Sequence, residues 1–214
     1  MSGLRDYEDW HRAYDDPNSS LSWRLRTVQR FLREALDRHP GPIRVLSSCS
    51  GDGRDLIGVL SQRHDADRVD ATLIELHPRI AQRARRAAAA AELAHVTVRT
   101  ADAGSTGSYE GAVPADLVIM VGILGNISDS DIEQTIKTTP QFCRPGAMLL
   151  WSRSPRNGDD RNDAVRSLFI ASDFIELDYV SQDTDGDRTG LGAIRYDGEP
   201  QPLVTGRQLF TFLR

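Results

Sequence analysis

Residues 47–55 read SSCSGDGRD, directly after the apolar run Ile43, Arg44, Val45, Leu46 and directly before Leu56, Ile57, Gly58, Val59 and Leu60. The first flank reads as a strand and the second as the start of a helix. A turn of Gly, Ser, Cys and Asp at such a junction serves one of two ends. Glycine lets the backbone bend where a side chain would clash, or it lets backbone N–H groups come close to a ligand at a helix start. A lone Gly-rich loop does not choose between them, so its meaning depends on the surrounding sequence.

Outward from this loop, short apolar runs alternate with longer helical patterns between about residues 43 and 152. This is the mark of βαβ units and a mainly parallel α/β sheet. The expected strands are IRVLSS (43–48), ATLIEL (71–76), VTVRT (96–100), DLVIMVG (116–122) and AMLLWS (147–152). Each is apolar enough to be covered on both faces. RDLIGVLSQ, PRIAQRARRAAAAAEL and DSDIEQTIKTT read as helices, with Pro78 suited to a first turn, Asp129 as a cap, and CRPGA (143–147) as a turn ahead of the fifth strand.

After residue 160 the pattern becomes a helix, AVRSLFIAS, then FIELDYVSQ and LGAIRYDG separated by DTDGDRTG. That separation is too short for a crossover helix, so these two strands pair antiparallel at one edge. The closing RQLFTFLR alternates apolar and polar residues and has the pattern of one more edge strand, without a determined place. Ahead of the sheet, residues 4–15 and 20–39 read as two helices, the second amphipathic through Leu21, Leu25, Val28, Leu32 and Leu36. The expectation is one compact domain, with residues 1–40 as a helical lid over a core of residues 41–214.

Composition narrows the function classes. The chain has 214 residues, 31 acidic against 26 basic, a net charge of −5 and no block of five or six like charges, so no electrostatic footprint for nucleic acid is present. Lys137 is the single lysine, in a polar helical segment, which argues against Schiff-base or pyridoxal chemistry. The two cysteines, Cys49 and Cys143, form no CxxC pair and read as free buried thiols in a reducing compartment. The polar N-terminus is no secretory signal and no stretch reaches a membrane span, so the expected location is cytoplasmic, with no membrane partner. His39, His64, His77 and His95 lack metal-ligand spacing, and no metal is expected.

In an open α/β sheet the ligand crevice lies outside the carboxyl ends of the strands. The first strand ends in the quoted loop, the second in Glu75, the third leads to Asp102, and the fourth runs into VGILGN. Glu75 lies 22 residues past Gly53, the distance at which a carboxylate accepts hydrogen bonds from the two hydroxyls of a ribose. Asp102 either holds an adenine amino group or caps a helix. A dinucleotide fingerprint would put its third glycine at Leu56, whose side chain would hold helix and strand apart. A nucleoside with an amino-acid tail asks less of that helix, and Ser48, Ser50 and nearby N–H groups can receive its carboxylate.

With VLSSCSGDG, Glu75, Asp102 and ADLVIMVGIL in view, the chain resembles the class I S-adenosylmethionine-dependent methyltransferases over roughly residues 40 to 196. SCSGDGRDL, GILGNISDSDI and the ending GEPQPL…LFTF look like a little-characterised group of small bacterial methyltransferases. The resemblance implies a Rossmann-like, mainly parallel seven-stranded sheet with an antiparallel C-terminal strand and helices on both faces. It implies S-adenosyl-L-methionine as cofactor and S-adenosyl-L-homocysteine as product. Ser48, Cys49, Ser50, Gly51 and Gly53 would contact the methionine part, Glu75 the ribose, Asp102 and Ala103 the adenine, and Gly122 the face nearest the methyl group. Asp55, Leu76 and Val121 complete the implied cofactor-binding set. Two positions depart from the pattern: Ser47 stands where the family has an acidic residue, and Cys49 where it has its first glycine.

Transfer from a sulfonium is a one-step displacement that depends on alignment and needs no covalent residue. For a hydroxyl acceptor a base helps, and His11 and Tyr14 are the catalytic candidates, with Trp10 beside them on one helix face for substrate or sulfonium contact. The alternative is that Trp10 and Tyr14 anchor the helix on the sheet. Asn126 and Arg153 are the other substrate candidates, Arg153 either for an acidic acceptor or as a surface arginine. The favoured partner is a small-molecule methyl acceptor. A nucleic-acid or protein acceptor and a non-catalytic nucleotide-binding module stay open, the fourth strand end VGILGN lacking the Asp/Asn-Pro-Pro-aromatic signature of adenine methylation. The acceptor, the atom methylated and the oligomeric state are not legible.

Overall fold

In the structure, a computed structural model, the described residues are 16, 19–155, 159–184 and 187–213. The expected helix 4–15, with Trp10, His11 and Tyr14, lies outside them. Seven strands are present: β1 (Ile43–Ser48), β2 (Val69–Glu75), β3 (Val96–Thr100), β4 (Ala115–Met120), β5 (Cys143–Arg153), β6 (Phe174–Thr184) and β7 (Asp187–Tyr196). They pair in the order β3-β2-β1-β4-β5-β7-β6. β1 pairs parallel with β2 and β4, β2 with β3 and β4 with β5, whereas β7 runs antiparallel to both β5 and β6. The chain moves outward from β1 to β3 and then returns to the other side of β1. The crevice at this reversal opens between the carboxyl ends of β1 and β4.

The helices are α1 (Ser20–Arg38), α2 (Leu56–Leu60), α3 (Pro78–Ala90), α4 (Asp129–Thr138) and α5 (Asn162–Ile170). Alternation along the strands explains the two layers, because successive side chains face opposite ways. On β4, Leu117 and Ile119 pack with Val28, Phe31 and Leu32 of α1 and Leu56 and Leu60 of α2. Val118 and Met120 pack with Ile132 and Ile136 of α4 and Val165 and Phe169 of α5. The buried stripe of α1 is Arg24, Val28, Phe31, Leu32, Ala35 and Leu36; the expected Leu21 and Leu25 are only half-buried. Ser19 caps this helix by accepting from the Ser22 amide at 3.1 Å.

Three local expectations are corrected. Ser128, not Asp129, caps α4: its hydroxyl accepts from the Asp131 amide at 3.1 Å, leaving Asp129 and Asp131 in the first turn against the helix dipole. β5 begins at Cys143, ahead of the Pro-Gly pair, because the register jumps from Ala115↔Cys143 to Leu117↔Met148 and the exposed residues between them form an outward irregularity in the strand. The segment 207–213 is no edge strand. Gln208 makes one bridge to Ser105, while Leu209 and Phe210 are buried against the α4 and α5 side of the sheet.

Candidate functional site

The quoted loop closes on itself and on β2. The Ser50 amide donates to the Ile74 carbonyl at 3.0 Å, the Gly53 amide to the Ser50 carbonyl at 3.0 Å, and the Ile57 amide to the Gly53 carbonyl at 2.8 Å. Gly53 serves the first of the purposes open to such a turn. Gly53 has φ 73°, and a Cβ there would lie 2.6 Å from Ile57 Cδ1 and 2.8 Å from Leu73 Cδ2, so it permits close packing of helix on strand. Gly51 has φ 59° and nothing within 4 Å of a Cβ, so a side chain there would enter open space. Cys49 has φ 52°, so the thiol residue keeps the left-handed backbone a glycine would adopt.

Glu75 at the tip of β2 reaches this loop. Its Oε2 accepts from the Gly51 amide at 3.0 Å and its Oε1 from the His77 amide at 2.8 Å. Asp102 lies in the turn after β3, exposed, with Oδ1 accepting from the Gly104 amide at 2.8 Å. Glu75 pairs in register with Thr100, and its carbonyl accepts from the Ala101 amide at 3.1 Å, which sets the Asp102 turn beside the tip of β2. The loop, Glu75 and Asp102 are therefore brought together on one rim. Leu76, 59% exposed, stands beside Glu75, while Ala103 is buried and its carbonyl accepts the Tyr109 hydroxyl at 2.6 Å.

On the β4 side, Gly122 has φ 82° and its amide donates to the Ser152 hydroxyl at 3.0 Å. Asn126 turns its side-chain amide back to the Gly122 carbonyl at 2.9 Å, closing the loop that follows β4. Val121 beside it is half-buried. Asp55 caps α2, its carboxylate accepting from the Leu56 amide at 2.7 Å. Burial pushes its carboxyl up, with Asp52 adding to the rise and Arg24 opposing it. Ser47 and Ser48 are buried, and the Ser47 and Ser50 hydroxyls have no partner among the described residues.

Arg24 was not identified from sequence. It lies on α1, 9% exposed, with its guanidinium 3.8 Å from where a Gly122 Cβ would stand. It therefore stands beside the loop that follows β4. A signal was present: Arg24 is in phase with Val28, Phe31 and Leu32 on the inward stripe, where a charge needs a reason. Arg153 is 5% exposed at the end of β5 and donates from Nη1 to the Asp159 carbonyl at 3.1 Å, so it is no surface arginine. Among the described residues no group of three or more His, Cys, Asp and Glu is placed to hold a metal, and no helix is long and apolar enough to cross a membrane.

Neither a protein-family model nor a curated protein sequence matches the chain. Solved structures do. The chain is similar to magnesium protoporphyrin IX methyltransferase (ChlM) from Synechocystis PCC 6803 with bound SAM, with a TM-score of 0.70 at 13% identity, covering 90% of this chain and 92% of that one. The same enzyme with bound SAH matches at 0.68 and 13% identity, over 89% and 94%. The M1A22 tRNA methyltransferase TrmK of B. subtilis matches at 0.56 and 17% identity, over 82% of this chain and 66% of that one. Strand order, the reversed β7 and these similarities together give the chain the Rossmann-like fold of the class I SAM-dependent methyltransferases.

Proposed function

We propose that the protein is a S-adenosyl-L-methionine-dependent methyltransferase acting on a small-molecule acceptor by direct in-line transfer. The observation that carries the reading is the 3.0 Å hydrogen bond from the Gly51 amide to Glu75, which ties the β1 loop to an acidic strand end on the same rim as Asp102. The residues present fit the cofactor. The two backbone amides fix the Glu75 carboxylate, and each of its oxygens keeps a lone pair for a ribose hydroxyl. Asp102 accepts from the adenine amino group, and exposed Leu76 offers an apolar surface beside it. Arg24 and the buried Ser50 hydroxyl face the carboxylate of the methionine tail. Ser47, in place of an acidic residue, leaves the tail's ammonium to strand-end carbonyls.

When bound, the cofactor supplies an electrophilic methyl group on a sulfonium. The chain's own part is positional, because holding nucleophile, carbon and leaving sulfur in line is the main requirement. Residues 1–40 act as the cap: α1 brings Arg24 to the crevice, and Trp10, His11 and Tyr14 precede it as acceptor contacts, His11 taking the proton of a hydroxyl acceptor. Asn126 and Arg153 line the acceptor side. The net charge of −5 without a basic block supports a small acceptor over nucleic acid, and free Cys49 and Cys143 support a reducing, cytoplasmic setting.

Calorimetry with S-adenosyl-L-homocysteine tests the reading. Micromolar to submillimolar binding is expected, weakened at least about tenfold by Glu75→Ala, since hydrogen bonds to a charged group contribute about 1.5–3 kcal/mol each. Absence of heat at millimolar ligand refutes it. Methylation assays over small acceptors, against RNA and protein, then assign the acceptor class.

A further inference from the structure

Residues 198–213 leave β7 and run back across the α4 and α5 side of the sheet as a strap. The Val204 amide donates to Gln141 Oε1 at 2.9 Å, the Arg207 carbonyl accepts from the Thr106 amide at 2.9 Å, and the Leu213 amide donates to the Asn126 carbonyl at 2.8 Å. It also packs closely on the turn after β3. The Leu209 amide donates to the Gly104 carbonyl at 2.6 Å, and a Cβ on Gly104 would lie 2.4 Å from the Phe210 carbonyl oxygen and 2.6 Å from Gln208 Nε2. Only a glycine admits the strap this close.

At that contact Gln208 Nε2 donates to Asp102 Oδ2 at 3.3 Å and to the Phe210 carbonyl at 2.8 Å. Two acceptors at one atom identify it as the amide nitrogen and fix the side chain's orientation. The Asp102 carboxylate is thus held from both sides, by the Gly104 amide on one oxygen and by Gln208 on the other, while it stays exposed to a ligand.

We propose that Gln208 is a positioning residue for base selectivity: by fixing Asp102 as an acceptor, the C-terminal strap makes the site prefer a 6-aminopurine nucleoside over a 6-oxopurine one. This rests on the reading of Asp102 as the adenine contact. A 6-amino group donates to the carboxylate. A 6-oxo group presents an acceptor there, and two facing acceptors repel where the amino group would have donated. A swinging carboxylate would escape that conflict, so selectivity depends on what holds it.

The test measures binding of S-adenosylhomocysteine and S-inosylhomocysteine by calorimetry to the full chain and three variants. The wild type is expected to prefer the adenosyl ligand by about ten- to a hundredfold. Asp102→Ala should reduce that ratio to near one. Gln208→Ala should reduce it by about three- to tenfold, and Gln208→Glu at least as much, since it sets a like charge beside Asp102. Gln141→Ala loosens the strap at Val204, away from Asp102, and should keep the wild-type ratio, which separates positioning from general loosening. A wild type without preference, or an Asp102→Ala variant that keeps it, overturns the Asp102 reading and this proposal together. Expected behaviour of wild type and Asp102→Ala, with full preference retained in both Gln208 variants or lost in Gln141→Ala, overturns this proposal alone.

Discussion

Replacing each of the two loop glycines by alanine separates fold from ligand at a single turn. At Gly53 the new methyl meets Ile57 Cδ1 at 2.6 Å and Leu73 Cδ2 at 2.8 Å, both on buried side chains, and φ is 73°. The left-handed backbone costs an L-residue about 1–2 kcal/mol, and overpacking between a helix and a strand about 1–3 kcal/mol. The loss of unfolded-state freedom on going from Gly to Ala returns about 0.4–1 kcal/mol. Gly53→Ala should therefore destabilise by about 2–4 kcal/mol, which for a chain of this length lowers Tm by roughly 5–12 °C. At Gly51 the backbone term at φ 59° is alike but nothing lies within 4 Å, so the cost is about 1 kcal/mol or less. On the proposed cofactor placement the Gly51 methyl projects toward the methionine tail, and S-adenosylhomocysteine affinity should fall by about tenfold or more, some 1.4 kcal/mol. Urea unfolding and calorimetry measure the two quantities independently. If Gly51→Ala destabilises as much as Gly53→Ala, or binds the ligand as tightly as wild type, the division of labour between the glycines is wrong.

Further outcomes follow from other parts of the structure. Arg24→Ala should weaken S-adenosylhomocysteine by about tenfold yet leave 5′-methylthioadenosine, which lacks the amino-acid tail, within about twofold; equal losses for both ligands would remove Arg24 from the tail. Asp65 accepts from Arg63 Nε at 2.8 Å and from Arg68 Nε at 2.8 Å, and these hydrogen bonds hold its carboxyl below the usual value of 3.8. A lowered folded pKa contributes stability above 3.8 that is lost as pH falls below it, so Asp65→Asn should lower the urea midpoint at neutral pH and narrow the gap to wild type near ~pH 3. A gap of constant width across that range would exclude this role. Cys49 is only half-buried, whereas Cys143 is buried and burial pushes its thiol up, so Cys143 should not react with a disulfide reagent at ~pH 8 at the rate seen in the unfolded chain, and rapid native modification of Cys143 would contradict its placement.

How much could be read beforehand differs by element. The strands announced themselves because each is an apolar run bounded by turn residues, and burial on both faces leaves such runs few alternatives. β3, Val96–Thr100, appears where VTVRT stands in the sequence. Capping and bulging were harder. Ser128 and Asp129 are both good caps, and backbone geometry chose the serine. The Pro-Gly pair at 145–146 has the composition of a turn, yet β4 continues to pair on its far side through Cys143.

The chain by itself determined the parallel α/β class, the reversed pair at the edge and the acidic strand ends, because periodicity and spacing are local properties that burial enforces. It carried Glu75 and Asp102 as separate letters. Tertiary structure decided what no local pattern encodes: which residues meet across the crevice. Arg24 comes within reach of Gly122 across nearly a hundred residues of chain, and Gln208 reaches Asp102 across 106. Those contacts exist because the sheet brings β1, β3 and β4 to one rim, and because a strap without regular structure is held there by side-chain and backbone hydrogen bonds that leave no periodic trace in sequence.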